Sequence, residues 1–233
     1  MLSYMAMPIC AVLLIVLTSM SHTPTHAKTN PEQKEEAKSD DPCAELFEKL
    51  SLEGIINYDI FEKAYKGYCE IAAKKKTILT LIDFTKPSNE ERLFVIDMDK
   101  AEVLFKTVCA HGQGSGGLMA TQFSNKPNSH QSSLGFYLTE ETYSGNNGYS
   151  LRLKGLEQGF NDMARSRAIV VHGAKYADPA ICRKGGRLGR SWGCPAIPTK
   201  LARPIIDQIK NGSVLFIYSN IPSYLQHSKI LNT

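Results

Sequence analysis

The chain has 233 residues, of which 42% are hydrophobic, and 27 basic against 23 acidic side chains leave a formal net charge of +4. This length allows one sizeable core with a small appendage, and the apolar content excludes a chain disordered throughout. A charge this mild, without a basic patch interleaved with aromatics, excludes a nucleic-acid partner.

The first twenty residues carry no charged side chain, and residues 9–17 form an apolar run that ends near Thr25-His26-Ala27. This reads as a secretory signal peptide over residues 1–27, cleaved after Ala27, so the chain is expected in the periplasm or cell envelope. An uncleaved membrane anchor is the alternative, since the uncharged stretch approaches the ~20 residues that span a bilayer; Pro8 and the short apolar core favour the signal peptide. Residues 28–42, rich in Lys, Glu, Asp, Asn and Ser, read as a solvated linker. Asp41-Pro42 then has the form of an N-cap and first helical position. Leu46, Phe47 and Leu50, followed by Phe61, Ala64, Tyr65, Tyr68 and Ile71, give two apolar stripes, which predict a small helical hairpin within residues 43–76.

Beyond Lys76 the pattern changes to short apolar runs at 78–84, 92–98, 103–108, 134–138, 149–153, 169–171 and 214–218, separated by Gly, Asn and Pro. They predict a mostly β domain over residues 77–220, a sandwich or barrel-like sheet. One helix is expected between Thr199 and Lys210, started or kinked by Pro204 and stopped by Gly212, with residues 221–233 as a tail.

Gly112-Gln113-Gly114-Ser115-Gly116-Gly117 matches the Gly-x-Gly-x-x-Gly pattern, but no amphipathic helix follows and no βα units surround it. It reads instead as a turn-rich loop in which His111 and Ser115 touch substrate. No cofactor is expected. Beyond residue 27 the sequence has no Cys-x-x-Cys and no close His pair, so no metal is expected either.

Without residues 1–27, five cysteines remain: Cys43, Cys69, Cys109, Cys182 and Cys194. In an oxidising compartment an odd number fits one working thiol and two disulfides, with Cys43 and Cys69 one pair to consider; sequence alone does not give the connectivity. The working thiol is Cys194, in Gly189-Arg190-Ser191-Trp192-Gly193-Cys194-Pro195, downstream of an apolar run that ends on His172-Gly173. A free thiol with a pKa of roughly 8.5 needs a base to become the attacking thiolate, and His172 supplies one. Gly193 and Trp192 are expected to offer backbone amides to an oxyanion. Four cations between Arg183 and Arg190 precede the thiol, and Arg190 is the one expected to lower its pKa or bind substrate carboxylates.

These segments resemble the YkuD-type L,D-transpeptidases, and specifically the murein L,D-transpeptidase branch, through His172-Gly173, Ser191-Trp192-Gly193-Cys194-Pro195-Ala196, Ser133-Leu134-Gly135-Phe136-Tyr137 and Gly148-Tyr149-Ser150-Leu151-Arg152-Leu153. The chain departs from the broader pattern at Trp192, where the family has a second histidine, and at Pro195-Ala196. The resemblance implies a cysteine acyltransferase acting on peptidoglycan stem peptides. Cys194 attacks the carbonyl before the terminal D-Ala of a tetrapeptide, and the thioester passes to an amine of a second stem. Arg190, Ser191, Gly173, His111 and Ser115 are the implied substrate contacts, and acylation by carbapenems is implied as well. Water as acceptor would make an L,D-carboxypeptidase and a protein amine would attach a lipoprotein; a non-catalytic wall-binding module is the reading from another class.

Overall fold

The computed structural model describes residues 41–184 and 186–233. The signal-peptide reading and almost all of the linker reading lie outside them. Asp41 and Pro42, read as N-cap and first helical position, open the first helix, α1 (Pro42–Lys49): the Asp41 carboxylate accepts from the Cys43 amide at 2.9 Å, and Pro42 has no amide to leave unpaired.

The second helix, α2 (Tyr58–Glu70), is capped by Asn57 and buries Ile60, Ala64, Gly67 and Tyr68, one face at helical spacing. Phe47 of α1 meets Tyr58 edge-on at 5.2 Å and Phe61 at 5.4 Å. The pair is part of the main core rather than an appendage to it. A Cβ on Gly67 would sit 2.1 Å from the Phe136 ring, so glycine lets α2 lie directly on the sheet. Phe136 in turn stacks on Phe216 at 4.0 Å.

Eight strands form one mixed sheet: β1 (Ile78–Asp83), β2 (Leu93–Asp97), β3 (Glu102–Thr107), β4 (Gly135–Gly145), β5 (Gly148–Gly155), β6 (Val170–Ala174), β7 (Ala196–Pro198) and β8 (Val214–Tyr218). Their order is β3-β2-β1-β8-β4-β5-β6-β7. The pairs β1–β8 and β6–β7 are parallel. Both β1 and β8 are buried along their whole length, as strands covered on two faces should be. Beyond β3 the chain turns back, and Ala110 exchanges both backbone hydrogen bonds with Ala196 of β7, at 2.7 and 3.2 Å. The two ends of the sheet therefore meet, and the result is a nearly closed, barrel-like sheet.

Helix α3 (Thr199–Ile209) follows β7 directly and buries Ala202, Ile205, Ile206 and Ile209. Pro204 lies inside it rather than at its start. The last helix, α4 (Pro222–His227), occupies the segment read as a tail. It is fastened to the core by Glu157, a buried carboxylate that accepts from the Phe136 amide at 2.7 Å, the Tyr224 hydroxyl at 3.0 Å and the Ser228 hydroxyl.

All five described cysteines are free thiols, so the Cys43–Cys69 pairing is not formed. Cys43 is buried while Cys69 is exposed.

Candidate active site

Strand β6 carries His172 in register with Ser150 of β5 and with Ala196 of β7. Cys194 stands two residues before Ala196, so parallel pairing of a very short strand brings the thiol to the strand that holds the imidazole. The excursion between them is folded back by its own packing. Ala177 and Leu188 bury themselves in a small cluster with Val108, Ala110, Ala174 and Ala196. Gly189 donates its amide to the Tyr176 carbonyl at 2.7 Å, and a Cβ there would strike Tyr176 at 2.4 Å.

Cys194 and His172 line one cavity of about 700 Å³, together with Tyr143, Asn146, Asn147, Arg167, Tyr176, Arg190, Ser191 and Trp192. A larger groove of about 1020 Å³ beside α1 offers only Glu48, Glu53, Tyr58 and Lys86 as ionisable groups, and is lined by neither a cysteine nor a histidine. Among the described residues no cluster of His, Cys, Asp and Glu could hold a metal ion.

The Cys194 thiol rests 3.6 Å from the Ala168 carbonyl. Burial pushes its pKa up, opposed by the Val170 backbone and by the Arg167 charge, so the resting side chain is a neutral thiol. Burial likewise holds the His172 pKa below its ordinary value, which keeps the ring neutral and able to accept a proton. His172 Nδ1 lies 3.1 Å from the Gly173 carbonyl. A carbonyl only accepts, so this contact puts the proton on Nδ1 and leaves Nε2 as the basic nitrogen. Gly173 thus orients the imidazole, and it also fits against α3, where a Cβ would meet Ala202 at 2.8 Å.

Ser191 shapes the turn that carries Cys194. Its hydroxyl donates to the Cys194 carbonyl at 2.6 Å and accepts from the Gly193 amide at 3.1 Å. The Gly193 amide is therefore engaged and not open to an oxyanion; among the described residues it is the Trp192 and Cys194 amides that donate to no protein oxygen. Glycine is needed at 193 for another reason. Its φ is +118°, and a Cβ would lie 2.7 Å from the Gln131 carbonyl.

The expected cation, Arg190, does line the cavity, but its guanidinium donates to the Gly116 carbonyl at 2.9 Å and the Gln113 carbonyl at 3.3 Å, pinning the glycine loop. Arg167 is the cation that acts on the thiol. It donates to the Ser124 and Gln131 carbonyls, both at 2.8 Å, and to the hydroxyls of Ser133 at 2.5 Å and Ser129 at 3.2 Å. All four acceptors are neutral, and among the described residues no carboxylate forms an ion pair with it. Sequence reading missed Arg167 because it precedes β6 by three residues and lies far along the chain from the cysteine; the only signal was a lone basic residue beside an apolar strand.

His111 and Ser115 do not reach the cavity. His111 is 0% exposed. Its Nδ1 accepts from Arg92 at 2.8 Å, and Nε2 faces the backbone of Gly116 and Gly117 without making a hydrogen bond. Ser115 is also 0% exposed, its hydroxyl accepting from the Ser132 amide at 2.9 Å. Both support the loop from beneath instead of touching substrate. Gly112 and Gly114 have a packing role, because Cβ atoms there would lie 2.4 Å from the His130 carbonyl and 2.5 Å from the Ser129 carbonyl. The segment 129–131 is thereby pressed against the turn that carries Cys194. Ser132 completes the join, accepting from the Gly112 amide at 3.0 Å and donating to the Gly193 carbonyl at 3.1 Å.

The sequence matches the family model of the L,D-transpeptidase catalytic domain over residues 52–218. No curated protein sequence matches it. Among solved structures it is similar to an L,D-transpeptidase from Mycobacterium smegmatis, with 14% identity, a TM-score of 0.38, and coverage of 62% of this chain and 59% of that one. L,D-transpeptidase 1 of Mycobacterium tuberculosis gives 12% identity, a TM-score of 0.36 and 62% of each chain. An L,D-transpeptidase from Stackebrandtia nassauensis gives 16%, 0.35, and 77% and 78%. The chain spans about three-fifths of the length of the first of these structures. The family match covers well over half of the chain and includes the whole nearly closed sheet with the thiol and imidazole in one cavity, so the protein belongs to the L,D-transpeptidase catalytic domain family.

Proposed function

We propose that the protein is an exported L,D-transpeptidase that cross-links peptidoglycan stems, with Cys194 as nucleophile and His172 as base. The observation that carries this reading is that a neutral thiol and a neutral, backbone-oriented imidazole line one cavity. His172 takes the thiol proton as sulfur attacks the carbonyl before the terminal D-Ala of a tetrapeptide stem. The tetrahedral oxyanion is met by the Cys194 amide, with the uncompensated Arg167 charge nearby. The C–N bond breaks, His172 returns the proton to the departing D-Ala amine, and a thioester remains. An amine of a second stem then attacks the thioester, its proton passes to His172, and the thiol is regenerated. Carbapenems would acylate the same sulfur.

Mass spectrometry of the purified protein and its Cys194→Ala form after incubation with disaccharide-tetrapeptide tests the proposal. A cross-linked dimer that vanishes in the variant supports it. Tripeptide without dimer would make the enzyme a carboxypeptidase that uses water, and a folded protein that turns over nothing would overturn the catalytic reading in favour of wall binding.

A further inference from the structure

Trp192 is the only tryptophan in the chain, and it is 71% exposed at the rim of the cavity. An indole that merely filled a gap would be buried. This one lies flat on the His130 imidazole, with ring centroids 5.0 Å apart and planes 11° from parallel. His130 is itself restrained. Its backbone is in the left-handed region at φ +53°, its carbonyl accepts from the Gly114 amide at 2.9 Å, and its Nδ1 meets the Gln113 side-chain amide at 2.9 Å. One face of the indole is therefore braced while the other has no aromatic neighbour among the described residues.

The same cavity is lined by Asn146 and Asn147, at the tip of the β4–β5 hairpin. Their side-chain amides are exposed and make no hydrogen bond to protein among the described residues. An open, preoriented aromatic face suits the apolar C–H face of a pyranose ring, and unpaired amides suit its hydroxyl and N-acetyl groups. A stem peptide has no such flat apolar face.

We propose that Trp192, braced by His130, is a stacking platform for an N-acetylated amino sugar of the glycan strand that carries the donor stem. This deepens the transpeptidase reading and rests on it for the choice of glycan. It makes the enzyme select donors still attached to sugar over free peptides.

Because Trp192 is the sole tryptophan, its emission reports the contact directly. Titrating the protein with the peptide-free disaccharide of N-acetylglucosamine and N-acetylmuramic acid should give a saturable shift of emission. Kinetics with disaccharide-tetrapeptide and with sugar-free tetrapeptide give a selectivity ratio that should fall roughly five- to tenfold in Trp192→Ala, the size of one aromatic stacking contact, and by less in His130→Ala. An emission unmoved by saturating disaccharide, or a selectivity ratio unchanged in Trp192→Ala, would overturn the platform. If neither donor is turned over, the acyl-transfer reading fails, and the emission titration still decides the platform by itself.

Discussion

A thiol kept protonated by burial has to be deprotonated during attack, so the charges around Cys194 control its reactivity directly. Its alkylation by iodoacetamide, followed against pH by mass spectrometry, should show a midpoint above that of a free cysteine, because burial outweighs the Arg167 charge. Arg167→Met removes the opposing cation and should move the midpoint higher still. Arg190→Met should leave it in place, since that guanidinium is spent on the glycine loop; equal shifts in both variants would contradict this division of labour. Gly193→Ala forces a side chain into a left-handed backbone and against the Gln131 carbonyl. It should cost about 1–3 kcal/mol in urea unfolding, and displacement of the sulfur by about 1 Å should lower turnover by about 100-fold.

At the scale of elements, two buried polar anchors hold the pieces that sequence periodicity leaves loose. Arg92, just before β2, is fully buried and pairs with no carboxylate at ion-pair distance among the described residues, donating to the Cys109 carbonyl at 2.5 and 2.8 Å, to the Lys86 carbonyl at 2.8 Å and to His111. Desolvation drags its pKa down to about 10, still well above neutrality. Glu157 does the corresponding work for α4. Tyr224→Phe takes one of three donors from a buried carboxylate and should destabilise the fold by about 1–2 kcal/mol, read from the urea midpoint. A value near zero would mean that α4 is held by apolar packing alone.

For the whole molecule, the buried histidines give stability a definite pH dependence. The His111 pKa is pulled down to about 4 by burial and then by the Arg92 charge beside it. A lowered folded-state pKa favours the neutral ring, so this contribution is fully present above about pH 6.5, where the unfolded ring is also neutral, and is lost as pH falls toward 4. The loss amounts to about 3 kcal/mol, and His111→Gln should flatten the slope of unfolding free energy across that window. Burial raises the Glu157 pKa, so its contribution has the opposite sign, present in acid and lost as pH rises through the raised value. The variant therefore isolates the histidine.

Local sequence determined what depends on neighbours along the chain. Helical and strand periods, the Asp41-Pro42 cap and the nucleophile turn could be read because each is set by residues a few positions apart. The resemblance carried the reading to the family and to Cys194 with His172. Tertiary structure decided the rest, since it depends on which distant segments touch. Closure through Ala110 and Ala196 gives the thiol a fixed place beside β6. Neutral hydrogen bonds from three segments leave the Arg167 charge uncompensated, whereas Arg190, adjacent in sequence, is turned away. His111 and Ser115 stand next to glycines as a substrate loop would have them, yet packing places them beneath that loop, because Gly112 and Gly114 are used to admit the 129–131 backbone. Proximity in sequence marks which groups are available, and desolvation and three-dimensional contact determine which of them act.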